Sequence, residues 1–316
     1  MFNMKVLCTG TSGFFGTAFC EYLHKKYEIV GVDWRPPKEK FSGVRYYRAN
    51  ILHLNGLRKI FEKEHPDRVI HFAAQSHIEK SFSDPIGTYR INVIGTINLL
   101  EVAKEMNLQQ FIYISSDIVY GKADKYPCKE TQSLKPCNLY AASKAACDIL
   151  VQNFPGIKWA IARPSMSFGP RGNPQEQVVA KFLWNVIHDK PLRFPADRDI
   201  IHPTRDINYI GNIIHGLELM IEKDAYGIYN LGSGKETSIL ELAEKIIEVT
   251  GKGEIIFDPN YHYRSEEVGM RTWLDITKAK DELGYQPRIN LEEGLKITYD
   301  WMCKHLNYWD PLHKRM

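Results

Sequence analysis

Tyr140 and Lys144 are separated by Ala-Ala-Ser, a spacing that sets both side chains on one face of a helix. An ammonium beside a phenol favours the phenolate and lowers its pKa. The result is a proton acceptor able to work near neutral pH. Tyr-x-x-x-Lys alone is common in helices with no catalytic duty, so its company matters. The apolar run 111–115 precedes it and delivers Ser116 and Asp117 to the carboxyl end of an expected strand. In open parallel sheets, ligand sites lie outside those carboxyl ends. A second group sits near the start of the chain, where Gly10, Gly13 and Gly16 punctuate a strand-to-helix transition with Ser12, Phe14 and Phe15 between them. Glycines let the backbone turn tightly and approach a pyrophosphate, which rests on a helix N-terminus. Asp33 ends the next apolar run, 23 residues after Gly10. A carboxylate there suits the hydroxyls of an adenosine ribose and repels a 2′-phosphate, favouring NAD over NADP, although Arg35 lies close by.

The elements that must hold these groups follow from periodicity. Apolar runs at 5–9, 28–33, 44–48, 68–72, 111–115 and 159–163 alternate with helical patterns at 54–64, 88–106 and from 140 onward. Alternating strands and helices imply βαβ units and a parallel sheet covered on both faces. The expected fold is therefore α/β, a Rossmann-type doubly wound parallel sheet. Beyond residue 170 prolines break this rhythm. Later strands at 227–231 and 254–257, with helices at 178–188, 238–250 and 291–303, predict a smaller C-terminal α/β substrate-binding domain. The expected division is 1–168 against 169–316, interleaved, with part of 205–235 returning to the first domain.

Composition narrows the classes. With 41 Lys plus Arg against 38 Asp plus Glu, the 316-residue chain carries a formal charge of only +3, which argues against a dedicated nucleic-acid binder. No apolar run approaches the roughly 18 residues that span a bilayer. Met1–Lys5 is too short for a signal peptide before the first strand, so a cytoplasmic protein is expected. The six cysteines form no Cys-x-x-Cys pair and no zinc spacing, so no metal is expected and the thiols are read as mostly buried and reduced.

Taken in order, these pieces resemble one family. Gly10–Gly16, His71-Phe-Ala-Ala-Gln-Ser-His77, Ile114-Ser-Ser-Asp-Ile-Val-Tyr-Gly121 and Tyr140–Lys144 follow one another as in the extended short-chain dehydrogenases/reductases of the nucleotide-sugar epimerase/dehydratase group. Arg163-Pro-Ser-Met-Ser-Phe-Gly-Pro170, Arg205-Asp206, Asn230-Leu-Gly-Ser-Gly234, and Arg264 followed by Asp275 continue the match over nearly the whole length. The resemblance implies that NAD is held by the glycine turn, Asp33, Asn50, Ile51, Phe72, Ala73, Ala74, Asn92, Ser115, Tyr140, Lys144 and Arg163. It implies that a nucleotide-diphosphate sugar meets Gln75, Ser76, His77, Ser116, Asp117, Met166, Arg205 and Arg264. Tyr140 would take the proton from the sugar O4 hydroxyl as hydride leaves C4. Lys144 would tune it and Ser116 would hydrogen-bond the same oxygen. Arg264 would grip the diphosphate, while Arg205 either touches the nucleotide or pairs with a neighbouring acid. A homodimer packed through helices 88–106 and 140–154 is also implied, although Ile91, Ile94, Leu99, Val102, Ala145 and Ile149 equally suit burial within one chain.

Two departures keep the reaction open. A 4,6-dehydratase needs an acid for the departing O6 hydroxyl and a base for C5–H. Asp117 supplies the acid, but Ile118 stands where the family's base is expected. His77 is a replacement base or an ordinary structural hydrogen-bonder. Met166 replaces a common asparagine, and a thioether cannot donate a hydrogen bond. The 196–204 segment also looks longer than usual. Asp117 and Gln75-Ser76-His77 favour elimination; Ile118 opposes its usual mechanism, and a C4 epimerase that returns hydride to the opposite face is the alternative. A catalytically silent NAD sensor is the third reading, opposed by the intact Ser116, Tyr140 and Lys144.

Overall fold

A computed structural model of the chain describes residues 4–197, 200–263 and 268–309. Strands and helices alternate through β1 (Lys5–Thr9), α1 (Phe14–Leu23), β2 (Glu28–Asp33), β3 (Arg45–Arg48), α2 (Leu54–Glu64) and β4 (Arg68–His71). Then come α3 (Ile78–Ser83), α4 (Pro85–Tyr89), α5 (Gly95–Glu105), β5 (Gln110–Ile114), α6 (Leu139–Asn153) and β6 (Trp159–Pro164). The second half holds β7 (Met166–Phe168), α7 (Val178–Ile187), β8 (Leu192–Pro195), β9 (Thr204–Arg205), β10 (Ile207–Tyr209), α8 (Ile210–Glu222) and β11 (Gly227–Leu231). It closes with β12 (Thr237–Ser238), α9 (Ile239–Thr250), β13 (Ile255–Asp258) and α10 (Leu291–Lys304).

Seven strands form one parallel sheet in the order β3-β2-β1-β4-β5-β6-β11. The chain runs outward from β1 to β3 and then returns to the other side with β4. That reversal at β1 and β4 opens a crevice at the carboxyl ends, where such sheets bind ligands. Side chains alternate across each strand. Val6 and Cys8 of β1 face one core with Phe19 and Leu217, whereas Leu7 faces the other with Leu57, Leu99 and Val151. Each fully buried branched side chain on these strands contributes about 1.5–3 kcal/mol. Both faces are covered, as the apolar runs implied.

The long helix expected over 88–106 is helical throughout but not uniform. A π-helical turn, Arg90–Ile94, joins α4 to α5. Past β6, the strands leave the main sheet in short pairs: β7 with β10, β9 with β12, and β8 with β13. β11 goes back to the main sheet beside β6. Helix α9 begins at a capping box in which Ser238 and Glu241 satisfy each other's backbone N–H, and ends at Gly251 in a left-handed conformation.

Candidate active site

The glycine turn is set by close backbone approach. Gly10 has φ +77°, and a Cβ there would lie 2.7 Å from the Ala73 nitrogen; one on Gly16 would lie 2.3 Å from the Gly10 carbonyl oxygen. Gly13 precedes α1 and offers no side-chain cap, which leaves the helix's first N–H groups facing the turn. Asp33 accepts from the Ser12 N–H at 3.0 Å and the Arg35 N–H at 2.9 Å. Its carboxylate therefore hangs over the turn from the end of β2. Phe15 stacks on Phe72 at 6.3 Å, and Phe14 meets Phe15 edge-on at 5.6 Å. Ala73 donates its N–H to Thr9 Oγ1 at 3.3 Å, fixing the start of the segment that continues through Ala74. Asn50 Oδ1 accepts from the Leu52 N–H at 2.9 Å, and Ile51 is buried against Gly95. A cradle that excludes Cβ atoms, an uncapped helix start and a carboxylate at the end of β2 together fit a dinucleotide.

Across the sheet, β5 ends and Ser116 caps a short 3₁₀ turn, Asp117–Tyr120, by accepting from the Ile118 N–H at 3.3 Å. Its hydroxyl donates to Asp117 Oδ1 at 3.1 Å. Asn138 caps α6 through the Ala141 N–H at 2.8 Å, which places Tyr140 in the first helical turn. A cleft of about 370 Å³ joins Tyr140, Ser115, Ser116, Asp117, Ile118, Ser76, Met166, Arg205 and Phe15. Burial, together with the nearby Asp206, pushes the Asp117 carboxyl up to about 7, against the opposing pull of Arg205. Arg205 itself donates to the Thr204 and Met270 carbonyl oxygens at 2.9 and 3.2 Å, and faces the cleft beside this acid.

The tyrosine differs from the expectation. Its phenol is pushed up rather than down, by burial and by the Asp117 carboxylate. Lys144 is buried, donates to the Ile114 carbonyl oxygen and lies 4.3 Å from the Tyr113 ring centroid. Burial lowers that ammonium to about 8. The lysine shares the helix face that spacing predicts, but its charge is spent on the end of β5.

Three further expected site residues make contacts within the protein. Arg163 is buried and paired with Asp148 at 2.8 Å, and also donates to Tyr120 and the Glu130 carbonyl oxygen. It holds β6 against α6. Asn92, in the π-helical turn, accepts from the Gln75 N–H at 2.7 Å and donates to the Gln75 carbonyl oxygen and Ser143 Oγ. Gln75 turns its own amide on His77 and Thr88. Both clamp the loop after β4. His77 stands beside the cleft, its Nε2 3.4 Å from Glu176 Oε1. Arg264 lies outside the described residues.

Glu176, Gln177, Cys137, Met270 and Thr272 also line the cleft and were not anticipated. They come from loops whose sequence carries no spacing signal. Asn173 was the available clue for Glu176, since its carbonyl and side chain organise the turn at residues 173–177. The 230–234 motif acquires a structural account as well: Ser233 and Gly234 donate to the buried Asp206 carboxylate. All six cysteines are free, with Cys137 and Cys303 exposed and the other four buried. No group of three His, Cys, Asp or Glu among the described residues is placed to hold a metal ion.

A glycine turn under Asp33 and a Tyr140 helix meeting one cleft of a doubly wound sheet define the extended short-chain dehydrogenase/reductase class. Within it, the chain belongs to the GDP-mannose 4,6-dehydratase family, whose model matches residues 7–298. It is 30% identical to the dTDP-glucose 4,6-dehydratase of Streptomyces antibioticus, over 99% of this chain and 96% of that protein. Its structure is similar to the UDP-glucose 4-epimerase of Thermotoga maritima with UDP-glucose, at a TM-score of 0.88 and 28% identity, covering 96% of this chain and 100% of that one. The Thermus thermophilus UDP-glucose 4-epimerase in complex with NAD gives a TM-score of 0.85 at 28% identity, with the same coverage.

Proposed function

We propose that this protein is an NAD-dependent enzyme acting on a nucleotide-diphosphate hexose through transient oxidation at C4, with elimination of water across C5–C6 as the outcome. The observation that carries the elimination is Asp117. A carboxyl at about 7 in the same cleft as Tyr140 and Ser116 is still partly protonated at neutral pH, as the departing O6 hydroxyl requires. NAD, when bound, supplies the hydride acceptor for C4 and the donor that completes the reaction. Gly10, Gly13, Gly16, Ser12 and Asp33 would hold it. Tyr140 would take the O4 proton as a phenolate, a state that burial disfavours in the protein alone and that the positive charge of an oxidised nicotinamide would favour. Ser116 would steady the charge developing on that oxygen. Asp117 then donates its proton to O6, His77 beside the cleft would take the C5 proton and return it once hydride reaches C6, and Arg205 offers the cleft a cation. The neighbouring helix residue Lys144 keeps the end of β5 in place.

Ile118 favours a second reading. It lines the cleft with a side chain that accepts no proton, which suits a C4 epimerase better than an enzyme that removes C5–H. Incubation with UDP-, GDP-, CDP- and dTDP-hexoses followed by mass spectrometry separates the two. Elimination yields a product lighter by one water, whereas unchanged mass from every accepted sugar removes the dehydratase reading.

The same reading divides the chain into a dinucleotide part, 1–168 with some of 205–235, and a smaller nucleotide-sugar part, 169–316. It also includes a homodimer and a cytoplasmic site of action. Phe82, Ile86, Ile94 and Ile149 are exposed on α3, α4, the π-helical turn and α6, and support the dimer. Leu99, Val102 and Ala145 belong to the interior instead. Among the described residues no helix is long and apolar enough to cross a membrane.

A further inference from the structure

The segment between β7 and α7 holds a cation that the chemistry above does not use. Arg171 has a backbone φ of +71°, a region that residues with side chains rarely occupy. Its side chain is only 8% exposed. Nε and Nη2 donate to the two Glu39 oxygens at 2.8 and 2.7 Å, and Nη1 and Nη2 donate to the two Glu21 oxygens at 2.8 and 3.0 Å. The Trp301 ring centroid lies 5.3 Å from the guanidinium. Two forked pairs of this kind fix orientation as well as distance. Strained backbone persists where its surroundings over-determine it.

The partners are informative. Glu21 belongs to α1, the helix that opens at the glycine turn. Glu39 lies six residues past Asp33, on the segment that Ser12 engages through the Arg35 carbonyl oxygen at 3.0 Å. On its other side, Arg171 leads into a turn in which the Asn173 carbonyl accepts from the Glu176 and Gln177 N–H groups at 3.0 and 2.9 Å. Glu176 and Gln177 line the cleft. One guanidinium thus joins both elements that would hold the dinucleotide to a wall of the sugar-nucleotide cleft.

We propose that Arg171 is a positioning residue through which a seated dinucleotide strengthens binding of the nucleotide-sugar. This rests on the nucleotide-sugar reading above. Coupling of this sort is reciprocal between the two ligands. Lysine cannot replace it fully, because an ammonium lacks the forked donors.

The test uses the full chain saturated with NAD and titrated calorimetrically with UDP, dTDP, GDP and CDP. Arg171→Met should weaken the accepted nucleotide about tenfold or more, with Arg171→Lys intermediate and Glu39→Gln weaker by a few fold. Adding Glu39→Gln to Arg171→Met should change nothing further, since the shared contact is already gone. NAD affinity measured without nucleotide should stay at the wild-type value. On the accepted hexose, KM should rise while kcat stays within about threefold. Wild-type nucleotide affinity in Arg171→Met, or a fall in kcat at unchanged KM, overturns the proposal. Where Arg171→Met does not fold, unchanged affinity in both Glu39→Gln and Glu21→Gln overturns it equally. A wild-type protein that binds none of the four nucleotides removes the underlying reading and this inference together. Binding by wild type with indifferent variants removes only the inference.

Discussion

Asp117 is a buried carboxyl lining the cleft, and the proposed elimination turns on its proton. Its folded-state pKa of about 7 stands above the ordinary 3.8. A rate limited by proton donation from it should fall as pH rises through about 7, read from the yield of dehydrated product. Asp117→Asn should lose elimination by roughly 100- to 10,000-fold, while the oxidation half, followed as absorbance of reduced nicotinamide at 340 nm, persists. The raised pKa also has a stability consequence. Between about 3.8 and 7 the folded state holds a proton that the unfolded chain releases, so stability is lost as pH climbs through that window. Asp117→Asn should therefore gain on the wild type in denaturant melts from acid toward neutral pH. Tyr140→Phe should abolish most turnover and leave NAD binding intact; retained turnover would remove Tyr140 as the base, and a wild type without turnover on any hexose would return the silent-sensor reading. The meeting of Tyr140, Ser116 and Asp117 in one cleft was legible because it follows from local spacing. The contacts of Arg163, Asn92 and Gln75 with Asp148, Ser143 and Thr88 were not, since no sequence period distinguishes a polar group turned inward from one turned to a ligand.

At the scale of elements, the glycine turn is the most exacting piece. A Cβ on Gly16 would meet backbone atoms of Gly10 and Thr11 at 2.3 and 2.7 Å, and backbone cannot step aside as a flexible side chain can. Gly16→Ala should cost about 1–3 kcal/mol of stability and weaken NAD binding, as thermal melts with and without NAD would show. An alanine protein with unaltered NAD response would contradict this account of the turn. The first six strands were readable from their apolar runs. The π-helical turn at Arg90–Ile94 was not, because a single turn of local underwinding leaves no mark of its own in the apolar pattern. That turn nevertheless brings Asn92 to the loop after β4 and so shapes the approach to the cleft.

For the molecule as a whole, the sequence order of strands says little about which sheet receives each one. β11 comes after four short strands that leave the main sheet, yet it pairs with β6 and completes the seven. Neighbours distant along the chain make that choice, not the strand's own residues. The outer surface makes a different demand. Ile94 and Ile149 remain 47% and 57% exposed on helices that otherwise pack inward. Ile149→Asp should turn the proposed dimer into a monomer, measured by light scattering, with little change in melting temperature of the single chain. A wild-type protein already monomeric at micromolar concentration would end the dimer reading.

The distribution of cysteines has a practical corollary. A chromogenic thiol reagent should count two groups in the native protein and six after denaturation in guanidinium chloride, because only Cys137 and Cys303 are accessible. Cys303 sits on α10, far along the chain from the cleft residues, whereas Cys137 borders the cleft. Replacing Cys303 by serine would leave one attachment point, and a fluorophore carried there would brighten or dim as substrate enters, a direct optical gauge of occupancy.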